Sequence, residues 1–257
     1  MTNRNKQIDF IGIGFPKCAT TWIYKCLEEH PEICTSKQKE LTYFINLESS
    51  NIPYFKKLMR KKRVFYKNSI ESYLNNFNHC HPSSIKGEWS TNYIFDENAA
   101  RNIYNNFPNV KIIACLRNPV DRALSHYKFA KNVLLWEKST EFKQALNINN
   151  EVYIEGGMYY KRLLPFFKIF PRKNIKIVFF EDMVQSPLLF MQDIYSFLGV
   201  NKNFSPTNLN KKENFSGKPR FLIIRKIIIF INNLFYIPNS NPGAPFSQTR
   251  LRVVYSQ

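Results

Sequence analysis

The sequence predicts an α/β fold in three layers, a parallel β-sheet covered by helices on both faces. Three observations point there. Short, nearly continuous apolar runs occur at Ile8 to Gly14, Lys111 to Leu116 and Ile175 to Phe180, as expected of strands buried on both sides rather than one. Segments of helical period alternate with them. Finally, two of the runs end in loops rich in Pro, Lys, Arg and Thr, at the strand ends where open parallel sheets bind ligands.

The elements follow in order. Ile8-Asp9-Phe10-Ile11-Gly12-Ile13-Gly14 reads as a strand closed by glycine, and Trp22, Ile23, Cys26 and Leu27 mark the helix after it. Tyr54 to Arg63 predicts a lysine-rich helix, Ser69 to Phe77 a polar one, and Gly87-Glu88-Trp89 a short strand. After the strand Lys111 to Leu116, Asn118 supplies an N-cap and Pro119 the first helical position, with the helix running through Ala123, Tyr127 and Ala130. A helix Gly157 to Phe170 precedes the strand Ile175 to Phe180, and Glu181 to Leu198 returns to helical period. No internal repeat or flexible linker interrupts the 257 residues, so one domain, 1–257, is expected.

Composition narrows the function classes. With 44% hydrophobic residues, 23 Phe and 14 Tyr, the chain is neither a disordered tail nor a low-complexity protein. A net charge of +18 spreads positive potential over the surface and suits nucleotides, polyanionic glycans, nucleic acid or acidic lipid alike. Five cysteines, Cys18, Cys26, Cys34, Cys80 and Cys115, are an odd number without paired zinc-type spacing, so reduced thiols in a cytoplasmic protein are expected, Cys26 and Cys115 as core residues. The N-terminus carries no signal-peptide pattern. Phe221 to Pro238 is interrupted by Arg225, Lys226, Asn232 and Asn233, which excludes a spanning helix of about 20 apolar residues and leaves a buried or surface-lying helix, with peripheral membrane contact as one expectation.

The loop Phe15-Pro16-Lys17-Cys18-Ala19-Thr20-Thr21 runs from a strand end into a helix start. Backbone amides and the helix dipole there favour an anion, two threonine hydroxyls add donors, and Lys17 adds a mobile charge. A nucleoside-triphosphate loop would place lysine directly before the hydroxyl residue and needs a second glycine; here Lys17 stands three positions before Thr20. Arg117 ends the second strand, and Ser125 lies about two turns beyond Asn118 on one helix face, so a guanidinium fork and a hydroxyl converge in a pattern fit for a phosphate dianion.

Pro16-Lys17-Cys18-Ala19-Thr20-Thr21-Trp22 resembles the Pro-Lys-x-Gly-Thr-Thr signature of sulfotransferases that use 3'-phosphoadenosine 5'-phosphosulfate (PAPS), with Ala19 where most members carry glycine. Arg117-Asn118-Pro119 through Ser125-His126-Tyr127 resembles that family's 3'-phosphate motif, and the likeness extends weakly through Gly157-Met158-Tyr159, Phe180 to Met183 and Asn214 to Arg220, covering about 8–220. The resemblance, to the bacterial and glycan-modifying branch, implies a P-loop-like fold and PAPS as co-substrate. It implies Lys17 as the catalytic cation; donor contacts from Cys18, Ala19, Thr20, Thr21, Arg117, Ser125, Lys218 and Arg220; and Trp22 either stacked on adenine or a core aromatic. The family's C-terminal helix is expected to begin near Leu251, short or truncated.

Such a transfer needs positioning and charge stabilisation, with no metal required. His79-Cys80-His81 reads as a polar loop, since adjacent side chains point apart. An acceptor hydroxyl needs a general base. Glu40, in Lys39-Glu40-Leu41-Thr42-Tyr43-Phe44, resembles the glutamate of the branch's Lys-Glu-x-x-x-Phe segment and is the candidate, with Glu88 as a second base or substrate contact. The acceptor is a hydroxyl compound, a glycan being one candidate, and no nucleic-acid partner is expected. Two rivals stand beside this reading. A P-loop nucleotide phosphotransferase would need a strand-end aspartate for Mg²⁺, where Arg117 stands instead, and a non-catalytic polyanion binder is suggested by Lys56 to Arg63.

Overall fold

The computed structural model describes residues 7–45, 69–134, 137, 139 and 141–210. They lie in the first of two compact units, Met1–Gly217; the second, Lys218–Gln257, lies outside the described residues. So do the sequence's expected helices at Tyr54 to Arg63 and Phe221 to Pro238 and the helix near Leu251.

Five parallel strands form one sheet: β1 (Phe10–Gly14), β2 (Ile33–Thr35), β3 (Ile85–Trp89), β4 (Lys111–Leu116) and β5 (Ile175–Phe179), in the spatial order β2-β3-β1-β4-β5. The helices are α1 (Thr20–Glu28), α2 (Ile70–Leu74), α3 (Ala99–Asn106), α4 (Pro119–Phe129), α5 (Phe142–Ile148), α6 (Asn150–Tyr153), α7 (Tyr159–Ile169), α8 (Phe180–Gln185) and α9 (Pro187–Leu198). The predicted class is thus observed.

Burial explains the central strands. Every residue of β1 is buried, and Ile112, Ile113, Ala114 and Cys115 of β4 are fully so. β1 and β3 lie side by side in register within the sheet. A Cβ on Gly12 would sit 2.0 Å from the Trp89 ring, and one on Gly87 would sit 2.4 Å from Phe10, so glycine opposite each aromatic is what lets the strands pair in register. The Trp89 indole N–H then donates to the Gly14 carbonyl at 3.3 Å, tying the β3 side chain to the end of β1.

Some boundaries differ from the sequence reading. β2 is only three residues, Ile-Cys-Thr, too short to announce itself, and pairs with β3 at the sheet edge. The helical stretch after β5 is two helices, because Pro187 disfavours helical backbone at Ser186, which sits at φ −145°, ψ 75°. Glu181 and Asp182 lie in the first turn of α8, as expected.

The expectation of reduced thiols is corrected at two positions. Cys34 of β2 and Cys80 form a disulfide with an S–S distance of 2.06 Å, joining residues 46 positions apart; Cys18, Cys26 and Cys115 are free and buried. The pair escapes the sequence because β2 and the turn before β3 meet only once the sheet forms.

In strand order, β1 is the switch point. The chain builds β2 and β3 on one side of β1 and then crosses to β4 on the other. The loops after β1 and β4 therefore leave neighbouring strand ends in opposite directions and open a crevice between them.

Candidate active site at the ends of β1, β3 and β4

The loop after β1 turns sharply before α1. Lys17 and Ala19 both adopt left-handed backbone, at φ 70° and 57°. Ala19 is the N-cap of α1, with no side-chain cap, so neither Thr20 nor Thr21 occupies the cap position. A left-handed residue is where glycine is least strained, which gives a physical reason for glycine at the equivalent position of the signature and defines what Ala19 changes. Cys18 turns inward, fully buried, and burial pushes its thiol up to about 12; its contribution to a ligand is thereby limited to backbone. Thr20 is buried and Thr21 half-buried at the helix start.

Arg117 comes to this loop from the end of β4. Its Nη1 donates to the Lys17 carbonyl at 3.4 Å, and its guanidinium lies 4.1 Å from the Phe180 ring centroid. The Arg117 Nε is buried with no hydrogen-bond acceptor. The Lys17 ammonium sits 4.0 Å from the Phe129 ring centroid. Burial, reinforced by the neighbouring Arg117 charge, lowers its pKa to about 8. Among the described residues no carboxylate forms an ion pair with either cation. Two neighbouring cations, paired by no carboxylate among the described residues and one retaining a buried unsatisfied N–H, have the character that suits an anion.

The surroundings hold these groups in place. Asn118 caps α4, its side chain accepting from the Val120 and Asp121 amides, and its own N–H donates to Glu181 Oε1 at 2.9 Å. The Tyr159 hydroxyl donates to the Arg117 carbonyl at 2.6 Å while its ring packs edge-on against Phe15 at 4.6 Å, bracing both loops from α7. Ser125 is half-buried on α4. Beneath it Arg122 is fully buried and donates to the Val152 and Tyr153 carbonyls. Burial and the Arg122 charge hold His126 neutral, its pKa lowered to about 3.

Trp22 packs inside α1. It is 5% exposed, its indole N–H donates to the Asn208 carbonyl at 3.0 Å, and its ring lies 6.1 Å from Phe190. Its side chain is thus buried against the core among the described residues. Lys218 and Arg220 lie outside the described residues.

Glu40 lies in the loop after β2 and is held against the end of β3, the strand next to β1. Its N–H donates to the Trp89 carbonyl, and its carboxylate accepts from the Thr91 amide at 2.8 Å, the Thr91 hydroxyl at 3.0 Å and the Lys39 ammonium at 2.6 Å. The turn that carries it uses left-handed backbone at Glu40 and Thr42, braced by the Thr42 N–H donating to Ser90 Oγ. Glu88 is different in kind. It is 0% exposed and accepts from Tyr93, Ser90 and Tyr73 hydroxyls at 2.5, 2.6 and 3.2 Å; burial raises it to about 7. A carboxylate so enclosed is a brace inside the sheet rather than a substrate contact.

Sequence reasoning missed Tyr159, Phe129 and Phe180 as parts of the site. Tyr159 lay in a segment of weak resemblance, and nothing local to Phe129 or Phe180 signals a ring beneath a cation. The expected divergence of His79 and Cys80 is also corrected: His79 Nε2 lies 3.9 Å from Cys80 Sγ and 3.5 Å from Cys34 Sγ, while His81 turns to Ser83.

The sulfotransferase domain model matches residues 7–216. A membrane-associated sulfotransferase, kil1, of Dictyostelium discoideum is 31% identical over 134 residues, 51% of this chain and 25% of that protein. Mouse heparan sulfate glucosamine 3-O-sulfotransferase 5 is 26% identical over 227 residues, 85% of this chain and 60% of that protein. The chain therefore spans between a quarter and three-fifths of the length of these relatives. A solved sulfotransferase from Alicyclobacillus acidocaldarius superposes with a TM-score of 0.69 at 23% identity, over 88% of this chain and 92% of that one, and so shares the fold. With the family model spanning both the loop after β1 and the one after β4, the chain belongs to the sulfotransferase domain family.

Proposed function

We propose that the protein transfers a sulfuryl group from PAPS to an acceptor hydroxyl. The observation that carries this reading is the pair of cations, Lys17 and Arg117, at the start of α1, which no carboxylate pairs among the described residues. A donor with phosphate at both ends of its ribose needs two separated anion contacts. The Lys17 loop suits the 5'-phosphosulfate, and Arg117 with Ser125 suits the 3'-phosphate.

In the reaction, the acceptor oxygen forms a bond to sulfur as the bond from sulfur to the bridging oxygen breaks. The acceptor proton goes to Glu40, and 3'-phosphoadenosine 5'-phosphate (PAP) leaves with the negative charge of that bond. Lys17 stabilises the charge on the bridging oxygen, a task of preorganised electrostatics. Glu40 is held by Thr91 at the strand end next to β1, a placement that supports its role as base. The residues named use no metal ligand. The phosphotransferase alternative lacks support at the end of β4, where Arg117 follows the strand.

For the acceptor we propose a hydroxylated glycan. The net charge of +18 supports an acceptor that already carries anionic groups, and the similarity to a heparan sulfate 3-O-sulfotransferase supports the same class. The test is PAP formation from PAPS with a panel of sulfated and unsulfated oligosaccharides and small phenols. The reading expects acceptor-dependent PAP release by the wild-type protein, slowed by roughly 10²–10³-fold in Lys17→Ala. Failure of every hydroxyl acceptor, or phosphoryl transfer from ATP with Mg²⁺ in its place, counts against it.

A further inference from the structure

Among the described residues, a second cluster of chemically active side chains lies at the edge of the sheet. Cys34 on edge strand β2 meets His79 and Cys80 in the turn before β3, and the three ligand atoms lie within 4.8 Å of one another. His79 is exposed and both cysteines are half-buried, so the group is accessible from solvent. One histidine nitrogen, Nε2, faces both sulfurs, at 3.5 Å from Cys34 Sγ and 3.9 Å from Cys80 Sγ.

Those two distances fit one chemistry. Bond lengths of about 2.3 Å to sulfur and 2.0–2.1 Å to nitrogen at a tetrahedral ion put sulfur and nitrogen ligands roughly 3.6 Å apart and two sulfurs roughly 3.8 Å apart. Two of the three edges of such a site are therefore already in place. Only the sulfur–sulfur edge is closed, by the disulfide.

We propose that reduction of the Cys34–Cys80 bridge opens a Cys₂His site for a thiophilic divalent cation of the zinc type. A dithiol supplies the two electrons, passing to a cyclic disulfide while Cys34 and Cys80 become thiols. Binding the cation then releases two protons as both thiols become thiolates, and His79 ligates as neutral imidazole through Nε2. The exposed side of the group leaves the fourth position to water. Thiolate and imidazole ligands select such an ion over Mg²⁺ or Ca²⁺. Bridge and ion do the same mechanical work in the two redox states, holding edge strand β2 to the turn before β3. This site is separate from the proposed transfer chemistry and does not depend on it.

The experiment titrates dithiol-reduced and oxidised full-length protein with Co²⁺ as a spectroscopic probe, then displaces it with Zn²⁺. The reduced protein should show a thiolate-to-cobalt absorption band saturating near one equivalent, about two protons released, and displacement by Zn²⁺ but not Mg²⁺. The oxidised protein, Cys34→Ser and Cys80→Ser should lack that band. His79→Ala, altering an exposed side chain, should keep a thiolate band with affinity at least about tenfold weaker. Absence of the band in the reduced wild type, its persistence in either serine variant, or unchanged affinity in His79→Ala would overturn the assignment. The buried thiols Cys18, Cys26 and Cys115 remain in every variant and serve as the internal control.

Discussion

The two loops that meet at the end of β1 are built on opposite electrostatic terms. On the donor side, Lys17 and Arg117 lie close together with aromatic rings at their backs and, among the described residues, no carboxylate paired with them. On the acceptor side, the Glu40 carboxylate is already engaged by Thr91 and Lys39. The first arrangement is strained in isolation and relieved by an anion; the second is complete in itself and holds one carboxylate in one orientation. On the proposed reading, binding energy for the donor comes from Lys17 and Arg117, while Glu40 supplies orientation and a proton acceptor.

Breaking either side should produce distinguishable losses. The largest is expected for Glu40→Gln, which should cut turnover by about 10²–10⁴-fold with PAP affinity unchanged, in steady-state kinetics paired with calorimetry. Lys17→Ala should lose roughly 10²–10³ in kcat while retaining appreciable nucleotide binding. If Glu40→Gln weakens PAP binding as much as turnover, the division between the loops is wrong.

The pH dependence sharpens the same contrast. Lys17 is charged in the free protein only below about 8, so PAP affinity should be flat below that pH. Above it the affinity should fall and then level off near that of Lys17→Ala, as the free protein loses the lysine charge. Acid-side stability reports on the buried brace instead. Glu88 titrates at about 7 in the folded protein, above its ordinary value of 4.5. The folded state therefore holds a proton that the unfolded state has lost between those pH values, and Glu88's contribution to stability declines as pH rises through that window. Chemical denaturation of Glu88→Gln should show that decline removed.

The smallest effect is expected at Ala19. Its left-handed backbone disfavours a β-carbon, and Ala19→Gly should raise stability by about 1 kcal/mol at most, the relief of strain being offset by the entropy of glycine. A loss of stability would mean that the methyl group packs usefully in the loop.

Much of this was readable in the residues. β1 and β4 announced themselves as nearly continuous apolar runs because the sheet buries both faces there, β5 did so more weakly as a half-buried edge strand carrying Lys176, and Asn118-Pro119 marked the start of α4 because capping is local chemistry. Lys17 and Arg117 could be paired only through the family resemblance, since nothing within either segment encodes a contact 100 positions away. What stayed hidden was also non-local. Tyr159 reaches Arg117 across 42 positions, and Cys34 reaches Cys80 across 46, both brought together by strand order. Trp22 was ambiguous because the same helical position serves a core or a ligand face, and its bond to Asn208 spans 186 residues. Glu88 looked like a candidate base because its three hydroxyl partners, Tyr73, Ser90 and Tyr93, are ordinary polar residues until the fold encloses them.

The central claim is that the cleft between β1 and β4 receives a nucleotide bearing a 3'-phosphate. Calorimetric titration of the wild type and Arg117→Ala with PAP, and of the wild type with ATP plus Mg²⁺, tests it most directly. Wild type should bind PAP well in preference to ATP, and Arg117→Ala should lose about 1.5–3 kcal/mol, roughly 10- to 150-fold in Kd, as expected for a charge-assisted phosphate contact. Equal PAP affinity in the two proteins, or preference for ATP with Mg²⁺, would contradict it.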